Sequence, residues 1–274
     1  MLITLRDGRV LAVHDSTGGE ARDVTVVWHH GSPQTGAALE PHLRAAAARG
    51  IRWISYSRPS YGGSSDSPGR TIGDAAEDVA QLADALEVGR FAVMGASGGG
   101  PHALACAALL PGHVWAAVTF ASPAPVTTEF DWFAGMADDG GLRAAQQGRE
   151  ARERFELTAE FEEDSFNSRD YAGLESRWVS LTADVGLASA AGSAGLVDDD
   201  LALVGPWGVD LATITAPVLL AQGGDDRVIP ASHAHRLLAL VPDGELWLRP
   251  GDGHISILDT SAVALDWLVA RSSR

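Results

Sequence analysis

The residues best placed to do chemistry are Gly95-Ala96-Ser97-Gly98-Gly99, a serine framed by glycines. Alone, G-x-S-x-G is a weak sign in a glycine-rich chain, but its context strengthens it. The apolar run Phe91–Met94 ends immediately before it, and a helical stretch opens at Gly98. A serine on so tight a strand-to-helix turn is lifted clear of the sheet, and the free N–H groups of the helix start point at the same spot. A hydroxyl needs a base to become a nucleophile. Of the nine histidines, His254 stands in Gly251-Asp252-Gly253-His254, after the last strand and before the last helix, which puts it at the same sheet edge as Ser97. His102 reads as a packed helix residue, and His233 and His235 as a partly exposed pair on an amphipathic helix. His14, His42 and His113 fall to the surface or to loops. An imidazole base needs a carboxylate to fix its tautomer and stabilise its cation. Asp225 and Asp226, in the loop leaving the strand around Val218–Ala221, can each reach that edge, and each could instead cap the helix that follows.

An acyl-transfer site also needs donors for the developing oxyanion. His29-His30-Gly31-Ser32-Pro33 follows another apolar strand. The Ser32 amide, with the Gly98 amide, forms the expected pair.

The elements that must hold these residues alternate. Strands are expected at Val24–Trp28, Ile51–Ser55, Phe91–Met94, Val114–Phe120, Pro217–Ala221 and Glu245–Leu248, after a hairpin turning at Asp7-Gly8. Helices are expected at Leu39–Arg49, Thr71–Leu86, Gly98–Leu110, Ala231–Leu240 and Ile255–Val269. Near-continuous apolar strands joined by helical crossovers imply an α/β fold with a mostly parallel sheet covered on both faces. The rhythm fails between about 126 and 211, where the chain is acidic, Arg-rich and aromatic. Residues 150–163 and 168–187 read as amphipathic helices, and 192–200, with Asp198-Asp199-Asp200, as a flexible connection. The expected organisation is therefore a core of 1–125 and 212–274 with a helical cap inserted at 126–211. The cap would be a mobile lid over the strands' carboxyl ends, hinged near Gly140-Gly141 and Gly192.

Composition narrows the classes. The 274 residues carry 20 basic and 36 acidic groups, a net charge of −16, which disfavours nucleic acid and anionic membranes as partners. Every basic residue is Arg. Without Lys there is no Schiff-base or lysine-anchored pyridoxal chemistry and no Walker-type phosphate loop. A single Cys, Cys106, forms no internal disulfide. The start of the chain has no apolar leader, and the most apolar stretch is cut by Gly and Pro, so the expected setting is cytoplasmic with a small-molecule substrate.

Taken together, His30-Gly31, Arg58-Pro59-Ser60-Tyr61-Gly62-Gly63-Ser64, the Gly95–Gly99 elbow, Gly223–Pro230 and Gly253-His254 resemble, in order, the serine α/β-hydrolase family with a helical cap, in its esterase and proline-iminopeptidase-like branch. The resemblance covers both halves of the sheet. In that family the acid stands in G-x-x-D-x-x-x-P, which here runs from Gly223 to Pro230 and selects Asp226 over Asp225. The family's D-x-P-G-x-G-x-S loop is altered, with Ser57 for the Asp and Ser60 for the first Gly, a departure that bears on the pocket. The resemblance implies Ser97, Asp226 and His254 as triad, the Ser32 and Gly98 amides as oxyanion donors, and no metal or organic cofactor. Hydrolysis of a small ester or lactone is the first expectation. The alternatives are an aminopeptidase that grips a substrate amine with Glu156, Glu160, Glu162, Glu163 or Asp164, and a carbon–carbon hydrolase or lyase. Among the cap aromatics Phe130, Trp132, Phe133, Trp178 and Trp207, the expected substrate contacts are Trp132, Phe133 and Trp178.

Overall fold

A computed structural model describes residues 1–272. Eight strands form one sheet: β1 (Leu2–Thr4), β2 (Val10–Asp15), β3 (Val24–His29), β4 (Ile51–Tyr56), β5 (Phe91–Ala96), β6 (Val114–Phe120), β7 (Val218–Gly223) and β8 (Gly244–Arg249). Their spatial order is β1-β2-β4-β3-β5-β6-β7-β8. The hairpin β1–β2 turns at Asp7-Gly8 and joins antiparallel to β4, while β3 to β8 run parallel. Strands β3, β4, β5 and β7 are buried along their whole length, as their largely apolar sequences demand, with Arg52 of β4 paired to Asp15 at 2.8 Å.

Helices cover both faces. On one side α2 (Asp74–Ala85) and α3 (Gly99–Leu109) pack Leu82 and Leu104 against Val27 and Val93. On the other, α1 (Glu40–Ala47) and α10 (Ser261–Val269) enclose Trp28, Trp53, Met94 and Leu265. The expected helix at 255–269 divides: a 3-10 turn at Ser256–Thr260 precedes α10. His42 corrects an expectation. It is fully buried on α1, with ring centroids 4.4 Å from Trp28, 5.0 Å from Trp53 and 5.1 Å from Trp178, and burial pushes its imidazole down to about 3.

Between β6 and β7 the described residues hold helices and no strand: α4 (Gly140–Gln146), α5 (Arg149–Glu156), α6 (Ser168–Leu174), α7 (Val179–Ala190) and α8 (Ala194–Val204). The helix expected over 168–187 is two helices. The chain turns at Trp178, whose fully buried indole donates to Asp259 at 3.0 Å. The connection expected at 192–200 is also corrected, since Asp198, Asp199 and Asp200 lie on α8 and all three are buried. Arginines explain why so acidic a run folds inward. Arg149 pairs with Asp198, Arg152 with Asp200 at 2.6 Å, and Asp199 with both Arg58 and Arg70.

After β7, the segment α9 (Ala231–Leu240) returns the chain to β8. It buries His233, expected to be partly exposed, while His235 stays exposed. No helix among the described residues is long and apolar enough to cross a membrane.

Candidate active site

The parallel register sets the site's plan. His29 at the end of β3 pairs with Gly95 near the end of β5, and Gly223 at the end of β7 pairs with Arg249 at the end of β8. The loops that carry Ser32 and Ser97 are therefore neighbours, and so are those that carry Asp226 and His254.

Ser97 has φ 50°, a left-handed conformation that costs a non-glycine residue about 1–3 kcal/mol. Its amide holds the turn by donating to Phe120 O at 2.8 Å. The glycines on either side are required by close approach. A Cβ on Gly95 would meet the Gly99 carbonyl carbon at 2.6 Å, and one on Gly99 would run into the carbonyl oxygens of His29 and His30. The elbow and the His30-Gly31-Ser32 loop therefore touch backbone to backbone.

That loop is held from behind. His30 is fully buried: its Nδ1 donates to Gly31 O at 2.7 Å and its Nε2 accepts the Arg58 amide at 3.1 Å. Burial, reinforced by the Arg58 charge, holds the His30 imidazole well below its ordinary range, so it stays neutral. The expected oxyanion donors lie together, with Ser32 Oγ 2.7 Å from the position a Gly98 Cβ would take. Among the described residues, neither the Ser32 nor the Gly98 amide has a hydrogen-bond acceptor in the protein.

On the other side of β6, His254 Nδ1 lies 3.0 Å from Asp226 Oδ2 and 3.2 Å from Oδ1. Both side chains are almost completely buried. Asp226 is fixed by the Val228 and Ile229 amides at 2.9 and 2.8 Å and by Gln222 Nε2 at 3.2 Å. Asp225 is exposed and, among the described residues, accepts only Asn167 Nδ2, at 3.1 Å. With Nδ1 donating to a carboxylate, the His254 Nε2 lone pair is left for a proton. Burial alone would lower the His254 pKa, but the Asp226 charge and hydrogen bond, with Asp170 adding to them, outweigh it and raise the value above 6.5. No hydrogen bond joins Ser97 Oγ to His254 among the described residues; the structure brings the expected acid and base together and holds the expected nucleophile on the elbow at the same sheet edge.

The cap supplies residues that sequence reasoning missed. Asp199 of α8 receives Arg58 Nη2 at 2.6 Å, Arg70 Nη2 at 2.7 Å, Tyr61 Oη at 2.9 Å and the Ser32 hydroxyl. Burial would raise its pKa, but Arg58 and Arg70 hold it well below the usual carboxylate range. Asp184 of α7 accepts the Thr35 amide at 3.1 Å. Ser60, standing where the family has glycine, takes φ 72° and donates to Asp198 at 2.6 Å. Phe166 stacks nearly parallel to the His254 ring at 6.5 Å, and Leu203 borders Gly98. The only local signal for these contacts was the surplus of Arg and Asp.

Two of the three expected pocket aromatics are enclosed in the fold. Trp178 fills the joint between cap and core and has no exposed surface to offer a substrate. Trp132 is buried against His233 and donates to Ala124 O at 2.6 Å. Phe133 is half-buried under the Arg143 guanidinium, 4.0 Å from its ring centre. Of the carboxylates named for amine recognition, Glu160, Glu162, Glu163 and Asp164 are exposed, and Glu156 is paired with Arg152 at 2.7 Å.

Known proteins bear on this arrangement. The chain is 26% identical over 250 residues, 88% of each chain, to a protein of Caulobacter sp. (strain K31) named as the carbamate hydrolase RutD. The fold superposes on an esterase from Thermogutta terrifontis with TM-score 0.72 at 19% identity, covering 99% of this chain and 98% of that one. It also superposes on the enol-lactonase of Burkholderia xenovorans LB400 with TM-score 0.73 at 18% identity, over the whole of both chains. A bromoperoxidase from Bacillus anthracis gives TM-score 0.75 at 22% identity, over 98% and 97%. The sequence pattern of the alpha/beta hydrolase family matches residues 26–266, from the middle of β3 into α10, and the chain belongs to that family.

Proposed function

We propose that this hydrolase cleaves a small carboxylic ester or lactone through an acyl-enzyme formed on Ser97. The observation that carries the reading is the buried His254–Asp226 pair, bonded through Nδ1, at the same sheet edge as a serine held in a left-handed elbow. In the first step Ser97 Oγ attacks the carbonyl carbon while His254 Nε2 takes its proton. The carbonyl oxygen becomes an oxyanion that the Ser32 and Gly98 amides stabilise. Collapse expels the alkoxide, which receives the proton from His254. Water then repeats the sequence on the acyl-enzyme, and Ser97 recovers its proton. Asp226 remains ionised and steadies the imidazolium.

The aminopeptidase reading is weaker, because the cap carboxylates it requires are exposed or already paired. The relative named as a carbamate hydrolase places carbamates among the acyl compounds to try.

The test is labelling with a fluorophosphonate probe, together with kcat/KM over short-chain esters, lactones, a carbamate and an aminoacyl anilide. Labelling confined to Ser97, and a preference for esters or lactones, is the expected result. Labelling of Ser97→Ala equal to that of the parent, or turnover of the anilide alone, overturns the reading.

A further inference from the structure

We propose that Asp170, on α6 of the cap, is a positioning residue for the general base: its carboxylate holds the backbone of the loop that carries His254. This rests on the reading of His254 as base and adds a residue from outside the core to the machinery.

Asp170 is fully buried. Its Oδ2 accepts the His254 amide at 3.1 Å, and its Oδ1 accepts the amides of Ile255 at 3.0 Å and Ser256 at 2.7 Å, with the Ser256 hydroxyl also at 2.7 Å. Three consecutive amides of the catalytic loop thus converge on one carboxylate. They stand at the start of the 3-10 turn Ser256–Thr260, where N–H groups have no partner within the turn. A local Ser, Thr or Asp ordinarily supplies the acceptor there. Here it comes from a residue 84 positions earlier in the chain. The approach depends on Gly253, since a Cβ at that position would collide with the Asp170 carboxylate. Ser256 Oγ closes the ring by accepting the Gly253 amide at 2.7 Å.

The same carboxylate has a role within the cap. It accepts the Asn167 amide at 3.2 Å while Asn167 Oδ1 accepts the Asp170 amide at 3.0 Å, a reciprocal cap on α6. Arg169 beside it pairs with Asp252 at 2.5 Å, and Arg249 reaches Asp252 at 3.3 Å. Helix α6 and the His254 loop are therefore one hydrogen-bonded unit. Lifting α6 to admit substrate would release the base, so α6 stays seated and substrate enters past other parts of the cap. The charges around the imidazole are Asp226 and Asp170, with the Arg169–Asp252 pair at the loop's outer edge.

An amide at position 170 would turn its NH₂ against one set of these donors. Asp170→Asn is therefore expected to lower kcat on a short-chain ester by ~10²-fold, the scale of a small displacement of a catalytic group, with KM nearly unchanged. It should also lower the midpoint of the acid limb of kcat, because a negative charge near the imidazole is lost. Ser256→Ala, which removes one of the four bonds to the loop, should lose less. Asn167→Ala loosens the cap of α6 and drops the bond to Asp225 without removing any hydrogen bond to the His254 loop, and serves as the control. Thermal unfolding monitors folding, and NMR titration of the His254 imidazole reports its environment without relying on turnover. Retention of kcat and of the imidazole titration in Asp170→Asn overturns the proposal. So does an equal loss in Asn167→Ala, which would reduce Asp170 to a helix cap. Failure of the parent protein to label at Ser97 is a separate result, and it sinks the serine-hydrolase reading itself.

Discussion

The hydroxyl of Ser32, at the mouth of the expected oxyanion hole, donates to the carboxylate of Asp199, which belongs to α8 of the cap. The same carboxylate is held by the Arg58 and Arg70 guanidinium groups, all three side chains being at most 4% exposed. Cap and oxyanion loop are therefore joined through a buried charge cluster. The two departures from the family's loop lie in the same region, with Ser57 Oγ donating to Thr35 O at 2.5 Å and Ser60 bonded to Asp198.

Asp199→Ala is expected to destabilise the fold by about 3–5 kcal/mol, because it leaves two buried arginines without a counter-charge. Urea unfolding followed by tryptophan fluorescence measures this. A loss below about 1 kcal/mol would mean that the cluster relaxes into water and does not clamp the cap.

Asp226 and Asp225 are adjacent, but only Asp226 reaches the imidazole. Asp226→Ala should reduce kcat by ~10⁴, the scale of a lost orienting carboxylate, while Asp225→Ala should stay within a few-fold of the parent. Steady-state kinetics on both variants decides it, and a larger loss at Asp225 would reverse the assignment.

With His254 as the proposed base, its raised pKa sets the acid limb of activity. The base works unprotonated, so kcat/KM should rise with pH through a midpoint above 6.5, and removing the Asp226 charge in Asp226→Asn should move that midpoint down. The stability contribution has the opposite sense. The protonated His254–Asp226 pair stabilises the fold fully below 6.5, and that contribution is lost as pH rises through the folded value. A pH–rate profile whose acid limb lies below 6 contradicts the electrostatics of the pair.

Buried histidines act the other way. Burial pushes His29 and His42 down to about 3 and His233 to about 4, so each remains neutral in the fold while its unfolded counterpart takes up a proton below 6.5. Each should cost roughly 1.4 kcal/mol of stability per pH unit on acidification from 6.5 towards its folded value. Unfolding free energies between pH 7 and pH 5 test this, and a stability that is flat or increasing across that interval refutes it.

Trp178 and Phe133 should separate packing from substrate contact. Trp178→Ala opens a cavity in a fully enclosed joint and should cost about 3–5 kcal/mol. Phe133→Ala, at a half-buried position, should leave stability nearly intact and change kcat/KM across acyl chain lengths. If Phe133→Ala leaves the acyl profile unaltered, the pocket is lined by other residues, with Leu203 and Phe166 next in order.

The elbow, the strands of the parallel core and the family were legible in the sequence because their signals are local, whereas the spatial order of the strands was not. A buried strand must be apolar throughout, a left-handed serine between closely packed chains needs glycines around it, and each occupies fewer than ten consecutive residues. The helices of the core were legible for the same reason, to within a few residues at their ends, except the last, whose expected first turns form a 3-10 segment before α10. Asp226 was separable from its neighbour only through the family pattern. In the fold the choice is made by the Val228 and Ile229 amides and by the His254 ring, which approaches from the next strand.

Only the tertiary structure decided what the cap's acidic residues do. Asp170, Asp184 and Asp199 sit in an Arg-rich, acidic stretch that reads as amphipathic helix and flexible connection, yet each is buried and bonded to a core loop 84 to 167 residues away in sequence. A carboxylate's local pattern is the same whether water or a buried arginine satisfies it. What distinguishes the two cases is a partner that arrives from another part of the chain, and that is settled when the cap closes on the sheet.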